Sequence, residues 1–293
     1  IETERILLLE KPNRLLLLGD TNSSLSSFVA KRLGIPIFHM EAGNRCFDDC
    51  VPEEINRRII DHSSDILMPY TNRSKNNLIN EGISDQKIFV TGNPIKEVLD
   101  YYSSKISFSH ILNRLNIKQK QYFLVTLHRA ENVDVEARLK NFIEALHLIY
   151  TKYGYPIICS LHPRTKSQLQ KHSLIIKGDG IIVLDPLGLL DFVHLEKNAI
   201  CVLTDSGTVQ EECCLFNVPN VTLRDVTERP ETLEVGSNIL SGSNPQSILN
   251  CVNLVLNNTT YWIPPPEYLI PNVSSVATKI ILSYHKTLGD FNV

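Results

Sequence analysis

The sequence predicts two doubly wound α/β domains in tandem. Three observations carry that reading. Short apolar runs recur without polar alternation, as strands buried on both faces do. Amphipathic stretches of helical period separate them, the order expected of βαβ units and parallel sheets. A polar interval at residues 103–120 carries no strand signal and divides one such series from the next.

The chain opens on a helical stretch, and Lys11-Pro12-Asn13 turns it into a strand at 15–18. Further strands are expected at 35–40, 66–68 and 88–91, with helices at 24–33, 53–62, 74–81 and 95–102. Beyond the polar interval, strands are expected at 123–126, 156–159, 181–184, 201–204 and 220–223, and helices at 135–153, 187–196, 208–216 and 246–256. Pro264-Pro265-Pro266 breaks the chain before a last helix at 274–284. These elements place a first domain at 1–105, a second at 106–270, and a terminal segment at 271–293 that packs back on the first. Ile1 is not a start Met and the sequence begins inside a helical pattern, so a truncated first domain is expected.

Composition narrows the function classes. The 293 residues are 43% hydrophobic and 21% charged, which excludes a disordered, collagenous or disulfide-stapled chain. A net charge of −3 offers no broad basic field, so no nucleic-acid partner is expected. No apolar run approaches the ~20 residues of a spanning helix, so no membrane partner is expected. Glu2, Glu4 and Glu10 interrupt the first apolar stretch, which is therefore no signal peptide. The seven cysteines are scattered and odd in number, which suits reduced thiols and a cytoplasmic location. Cys46 and Cys50, with His39 and Asp48 nearby, fall two well-spaced ligands short of a zinc set, so no metal is expected. Cys213 and Cys214 fall within a helical pattern, where core packing is the expected use. The phosphate-binding patterns GxGxxG and GxxxxGK are absent, which argues against a dinucleotide oxidoreductase and a P-loop NTPase.

In open parallel sheets, ligands bind at the carboxyl ends of the strands. The residues following the expected strands are Gly19-Asp20-Thr21, Glu41-Ala42-Gly43, Leu127-His128-Arg129, His162-Pro163-Arg164 and Asp205-Ser206-Gly207-Thr208. Each could be a turn or a cap; five polar sets in phase read as active edges of two domains facing across a cleft. In the segment Leu203 to Glu212, a strand ends, a small-residue turn follows and a helix starts, an arrangement that presents backbone N–H groups to an anion. Ser206 can cap that helix or touch a phosphate, and Glu212 can accept hydrogen bonds from a ribose diol. An ordinary helix with acids favoured by its dipole explains the same letters. Arg229, in the charged loop after the strand at 220–223, can neutralise a diphosphate as a planar fork or serve in surface ion pairing. Asp20, Glu41 and Glu53 spread three carboxylates over successive βα connections, a set suited to proton transfer. Glu53 also suits the acidic first turn of a helix after Pro52. His128, beside Arg129, can cradle phosphate oxygens.

Together these strings resemble the non-hydrolysing UDP-N-acetylglucosamine 2-epimerase family. The matching pieces are Gly19-Asp20-Thr21, His39-Met40-Glu41-Ala42-Gly43, Pro52-Glu53-Glu54-Ile55-Asn56-Arg57, Thr91-Gly92-Asn93, His128-Arg129-Ala130-Glu131-Asn132, Thr204-Asp205-Ser206-Gly207 with Gln210-Glu211-Glu212, and Arg224-Asp225 with Thr227-Glu228-Arg229-Pro230-Glu231. They keep the family's order across most of residues 14–242. The resemblance implies the glycosyltransferase-B architecture of two Rossmann-like domains. It implies C2 epimerisation of a UDP-linked 2-acetamido sugar by anti elimination of UDP to a glycal and re-addition, with no nicotinamide cofactor or metal. It assigns Asp20, Glu41 and Glu53 to acid/base and charge-stabilising roles and counts His128, at the diphosphate, with them among the catalytic residues. It assigns Ser206, Gly207, Thr208, Glu212 and Arg229 to diphosphate and ribose, with Arg129 and His162 at a second, regulatory UDP-sugar site. It implies a homodimer.

Three departures are informative. Thr208 stands where the family usually has a second Gly. The family's opening strand and loop, with an Arg at the nucleotide, are absent from this sequence. Asn44-Arg45-Cys46-Phe47-Asp48 resembles the subgroup acting on UDP-2-acetamido-2,6-dideoxy-L-hexoses, in routes to N-acetyl-L-fucosamine or N-acetyl-L-quinovosamine, and favours such a substrate over UDP-N-acetylglucosamine. A glycosyltransferase of the same architecture and a non-catalytic UDP-sugar module are the competing functions. The carboxylate trio and Thr227-Glu228-Arg229-Pro230-Glu231 favour the epimerase.

Overall fold

The computed structural model describes residues 2–258 and 261–284. The chain forms two compact α/β units: Ile1–Glu97 with Pro266–Val293, and Val98–Pro265. The division falls between Glu97 and Val98, eight residues before the boundary at residue 105 that the sequence suggests, and both positions lie in the helix Ile95–Ser107. The polar residues read as a linker belong in part to that helix and to a short one, Ile111–Leu115, whose Ile111 is buried in the second unit.

The first unit holds a three-stranded sheet, β1 (Leu15–Leu18), β2 (Ile37–Met40) and β3 (Ile66–Met68), in that spatial order and wholly parallel. The fourth strand expected at 88–91 is only a bridge, Ile88 to Leu67. The segment does run beside β3, with Phe89 N–H on the Leu67 carbonyl and Thr91 N–H on that of Pro69. Gly92, at φ +88°, then turns the chain away before a ladder is completed. The helix Val273–Ser283 covers β2 and β3: Val273 and Ala277 pack with Phe38, Met40, Ile66 and Met68. Phe38 is fully buried and meets the Tyr284 ring edge-on at 5.5 Å between centroids. Residues 285–293 of the segment 271–293 lie outside the described residues.

The second unit holds six parallel strands: β4 (Phe123–Leu127), β5 (Ile157–Leu161), β6 (Ile181–Leu184), β7 (Cys201–Thr204), β8 (Asn220–Thr222) and β9 (Asn238–Leu240). Their spatial order is β6-β5-β4-β7-β8-β9, the reversal of direction at β4 that marks a doubly wound sheet. β9 has no counterpart in the sequence reading, because three residues with one polar end give too short an apolar run. The helices Glu136–Tyr153 and Pro245–Asn257 cover one face through Phe142, Leu146, Ile149, Ile248 and Val252. The first ends where Gly154 takes a left-handed conformation. The second starts at Asn244, whose side chain accepts the Ser247 N–H, with Pro245 in the first turn. The other face packs Ile158, Val202, Leu195, Val209 and Cys213. Among the described residues, no helix is long and apolar enough to cross a membrane.

Phe38 tests the packing of the first sheet. Phe38→Ala should lower the unfolding free energy by about 3–5 kcal/mol, the range for emptying a core aromatic site. Denaturant titration of parent and variant measures this, and a loss below about 1 kcal/mol would contradict the packing described.

Candidate active site

Parallel register brings the first unit's carboxylates together. Leu18 pairs with Met40, so Gly19-Asp20 and Glu41 leave adjacent strand ends. Glu41 Oε2 lies so close to Gly19 that a Cβ added there would stand 3.2 Å from it. Glu41 itself adopts φ +70°, in the left-handed region that a non-glycine residue occupies at a cost of about 1–3 kcal/mol. Its neighbour Gly43 has no alternative, since a Cβ would fall 2.2 Å from the Ser74 carbonyl oxygen. Asp20 Oδ2 accepts from Arg57 Nε at 2.8 Å and is ion-paired with Nη2 at 2.8 Å. Arg57 lies on the helix Pro52–Ser63, which starts with Pro52, carries Glu53 and Glu54 in its first turn and His62 in its last, and so suits its own dipole. Glu53 precedes Arg57 by one turn of this helix, so the third expected carboxylate shares the element that fixes the first.

Two buried acids outside the expected set hold these loops. Asp61 accepts from His39 Nδ1 (2.7 Å), Gly43 N–H (3.1 Å) and Arg45 Nη1 (2.8 Å). His39 Nε2 meets the Gly19 carbonyl at 3.1 Å, so one ring links the turns after β1 and β2. Glu54 accepts the backbone N–H groups of Cys46 and Phe47 and Arg57 Nη1 (2.8 Å). Burial acts to raise both carboxyls, but His39 and Arg45 for Asp61, and the Cys46 N–H and Arg57 for Glu54, outweigh it and leave each below the ordinary range. Asn44 joins Glu41 (3.4 Å) to Ser74 (2.8 Å). Arg45 forks onto Glu81. The loop 44–48 is thus mostly scaffold, with only Phe47 strongly exposed among its apolar side chains.

In the second unit, Thr126 pairs with Thr204, which sets Asp205 against the turn after β4. The fully buried Asp205 carboxylate accepts the N–H groups of His128 (3.0 Å) and Arg129 (2.9 Å), Asn132 Nδ2 (3.1 Å) and His128 Nδ1 (3.1 Å). Burial would raise it; His128 and the N–H donors win, and it lies below the usual range. The His128 and His162 rings are 5.5 Å apart. His162 caps the helix Pro163–Lys171 by accepting the Arg164 N–H, and burial followed by His128 lowers its pKa. That helix escaped the sequence reading, because its apolar positions are few and Pro163 looks like a breaker.

Ser206 is the N-cap residue of the helix Gly207–Phe216, but its hydroxyl makes no capping bond. A Cβ on Gly207 would fall 2.6 Å from Glu228 Oε1 and 3.5 Å from the Arg229 guanidinium carbon, so the helix start and these two side chains are in close contact. Glu228 binds Arg129 Nη2 (3.1 Å) and Arg224 Nη1 (2.7 Å). Arg229 is buried and pairs with Glu211 through Nε. The surface pairing weighed for it is therefore replaced by a buried one. Thr208 is exposed, so its side chain leaves the Gly207 contact unobstructed. Glu212 is buried beside Glu196 of the helix Leu189–Asn198. Nothing in the sequence pointed to Glu196. Arg57 and Glu228 were legible only as letters inside motifs, and Asp61 only as one residue of the expected helix 53–62.

The sequence profile of a family described as UDP-N-acetylglucosamine 2-epimerase matches residues 1–280. A Methanocaldococcus jannaschii protein named UDP-N-acetylglucosamine 2-epimerase is 46% identical over 273 residues, covering 90% of this chain and 74% of that protein. A Pseudomonas aeruginosa protein named UDP-2,3-diacetamido-2,3-dideoxy-D-glucuronate 2-epimerase is 38% identical over 88% of this chain and 72% of its own length. A crystal structure of Methanocaldococcus jannaschii UDP-GlcNAc 2-epimerase in complex with UDP-GlcNAc and UDP superposes with a TM-score of 0.91 at 43% identity, over 96% of this chain and 78% of that one.

The Asp205 cluster has a measurable signature. Asp205→Asn should cost about 3 kcal/mol, because buried donors lose their charged acceptor. A carboxyl held low when folded stabilises above its unfolded pKa, near 3.8, and loses that contribution as pH falls through the folded value. The parent's stability should therefore drop more steeply below pH 4 than the variant's in acid-denaturation curves; equal slopes would contradict the assignment.

Proposed function

The chain belongs to the UDP-N-acetylglucosamine 2-epimerase family, a family of isomerases, and on that premise we propose that it inverts C2 of a UDP-linked 2-acetamido sugar. The observation that carries the reading is the paired placement of Asp20 and Glu41 at one sheet edge, fixed by Arg57 and Gly19, with Glu53 on the same supporting helix. The reaction breaks the C2–H and C1–O bonds in an anti elimination. It gives UDP and a glycal. UDP then re-adds to C1 while a proton reaches C2 from the opposite face. Two faces of one carbon need at least two acid/base groups, and the first unit supplies three carboxyls for the task.

The second unit supplies the nucleotide's partners in this reading. Ser206 Oγ, spared from capping, and the first N–H groups of the helix Gly207–Phe216 suit phosphate oxygens. Arg229, packed on Gly207, brings a planar donor fork to the same spot. His128, anchored on Asp205, lies on the diphosphate side, and Glu212 accepts from the ribose. Arg129 and His162 belong to a second UDP-sugar site, and the assembly is a homodimer.

We assign UDP-N-acetylglucosamine as the substrate, in keeping with the names of the Methanocaldococcus jannaschii and Methanococcus maripaludis relatives. A UDP-2-acetamido-2,6-dideoxy-L-hexose is the second reading, favoured by the loop 44–48. In that loop Asn44, Arg45 and Cys46 are engaged internally, which leaves Phe47 as the side chain available to sense a C6 methyl.

Two sets of measurements test these roles. Asp20→Asn, Glu41→Gln and Glu53→Gln should each lower kcat by ~10²-fold or more, the scale of general acid–base catalysis, with UDP affinity nearly unchanged by calorimetry. Near-parental turnover in all three would refute the mechanism. Arg229→Ala should weaken UDP binding tenfold or more, since a charge-assisted bond is worth about 1.5–3 kcal/mol, and weaken uridine binding much less. Equal losses for both ligands would remove Arg229 from the diphosphate.

A further inference from the structure

Glu196 is fully buried on the helix Leu189–Asn198, behind the helix that carries Ser206, Gly207 and Glu212. A buried glutamate ordinarily faces a cation. Glu196 faces another acid, Glu212, and a thiol: Cys213 Sγ donates to Glu196 Oε1 at 3.3 Å. Glu196 Oε2 is buried with no hydrogen-bond partner. The nearby charges and titratable groups are committed elsewhere. Lys120 Nζ donates to the carbonyls of Lys197 and Ala199, Glu211 pairs with Arg229, and the Cys201 thiol is itself fully buried.

Two ionised carboxylates cannot hydrogen-bond each other, because each is acceptor-only; a pair holding one proton can. We propose that Glu196 is a positioning residue that keeps this proton and donates it to Glu212, holding Glu212 as the carboxylate that accepts from a nucleotide's ribose hydroxyls. The inference rests on the reading of the second unit as the UDP-binding unit. The electrostatics agree in direction. Burial, and then the Glu212 charge, raise Glu196 well above the usual carboxylate range. Burial also lifts Glu212, the hydrogen bond from Glu196 holds it back, and Glu211 opposes, leaving it at about 7. Burial lifts the Cys213 thiol well above its ordinary range and keeps it a neutral donor.

The consequence is a nucleotide affinity tied to a proton. As pH falls through about 7, the pair takes up its second proton and Glu212 ceases to be a charged acceptor. If binding needs the ionised form, affinity should fall about tenfold from pH 8 to pH 6, as the competent fraction falls. The β-phosphate of UDP titrates in this window, so uridine serves as a second probe. In Glu196→Gln the amide N–H still donates to Glu212, but no proton is shared and no second acid is present. Its uridine affinity at pH 8 should stay within about threefold of the parent's, and its dependence between pH 8 and pH 6 should flatten. In the parent protein, uridine binding at pH 6.5 should release protons, seen as heats that differ between buffers of unlike ionisation enthalpy. Parallel pH profiles for parent and Glu196→Gln, or buffer-independent heats for the parent, overturn the inference while UDP binding stands. Absence of UDP binding to the parent at both pH values overturns the underlying reading and this inference with it.

Discussion

Both units depend on one constraint: every strand pairing is parallel and in a register that aligns the strand ends. Parallel strands send their carboxyl-end loops to a single edge, so residues far apart in sequence become neighbours without any dedicated contact. The Leu18–Met40 pair sets Asp20 beside Glu41, and the Thr126–Thr204 pair sets Asp205 under His128 and Arg129. A slip of one residue in either pairing would offset the two partners by about 3.3 Å along the strands and turn the slipped strand's side chains to the opposite face.

Register delivers the loops, and buried carboxylates fix their shape. Glu54 and Asp205 each gather two backbone N–H groups from a turn, and Asp61 one, together with cationic or amide donors. Such groups contribute little net stability, since burying a charge offsets most of the attraction, but removing one leaves several donors unsatisfied. Their value here is geometric: they hold strand-end turns, one of them at a left-handed non-glycine residue, in a single conformation. Glu196 and Glu212 depart from this pattern: among the described residues they are two buried acids with no cation paired to them, and in our proposal a shared proton stands in for a counter-charge.

Much of the fold was legible because continuous apolar runs are rare outside buried parallel strands. β1, β3, β6 and β7 have the bounds read from the sequence. The stretch 88–91 misled because Ile88, Phe89 and Val90 have strand composition, while Gly92 and Asn93 end the pairing at once. β9 and the helix Pro163–Lys171 were missed because an edge strand of three residues and a mostly polar helix bury few side chains. Motif letters located the candidate site, since polar residues after apolar runs mark strand ends. They could not tell which acids face ligand and which face the interior. Asp205 and Glu228 look no different in sequence from Asp20 and Glu41, and only the donors around them separate scaffold from chemistry. Glu196 gave no signal at all, because one acid in an amphipathic helix reads as solvent-facing.

The central claim is that a proton is lost from and returned to C2. It is tested most directly by incubating the protein with UDP-N-acetylglucosamine in D2O and following the sugar's C2 proton by NMR. The account predicts a C2 epimer carrying deuterium at C2, with its H2 signal absent from the first product formed. An epimer that retains H2, or UDP release with no exchange at C2, would contradict it.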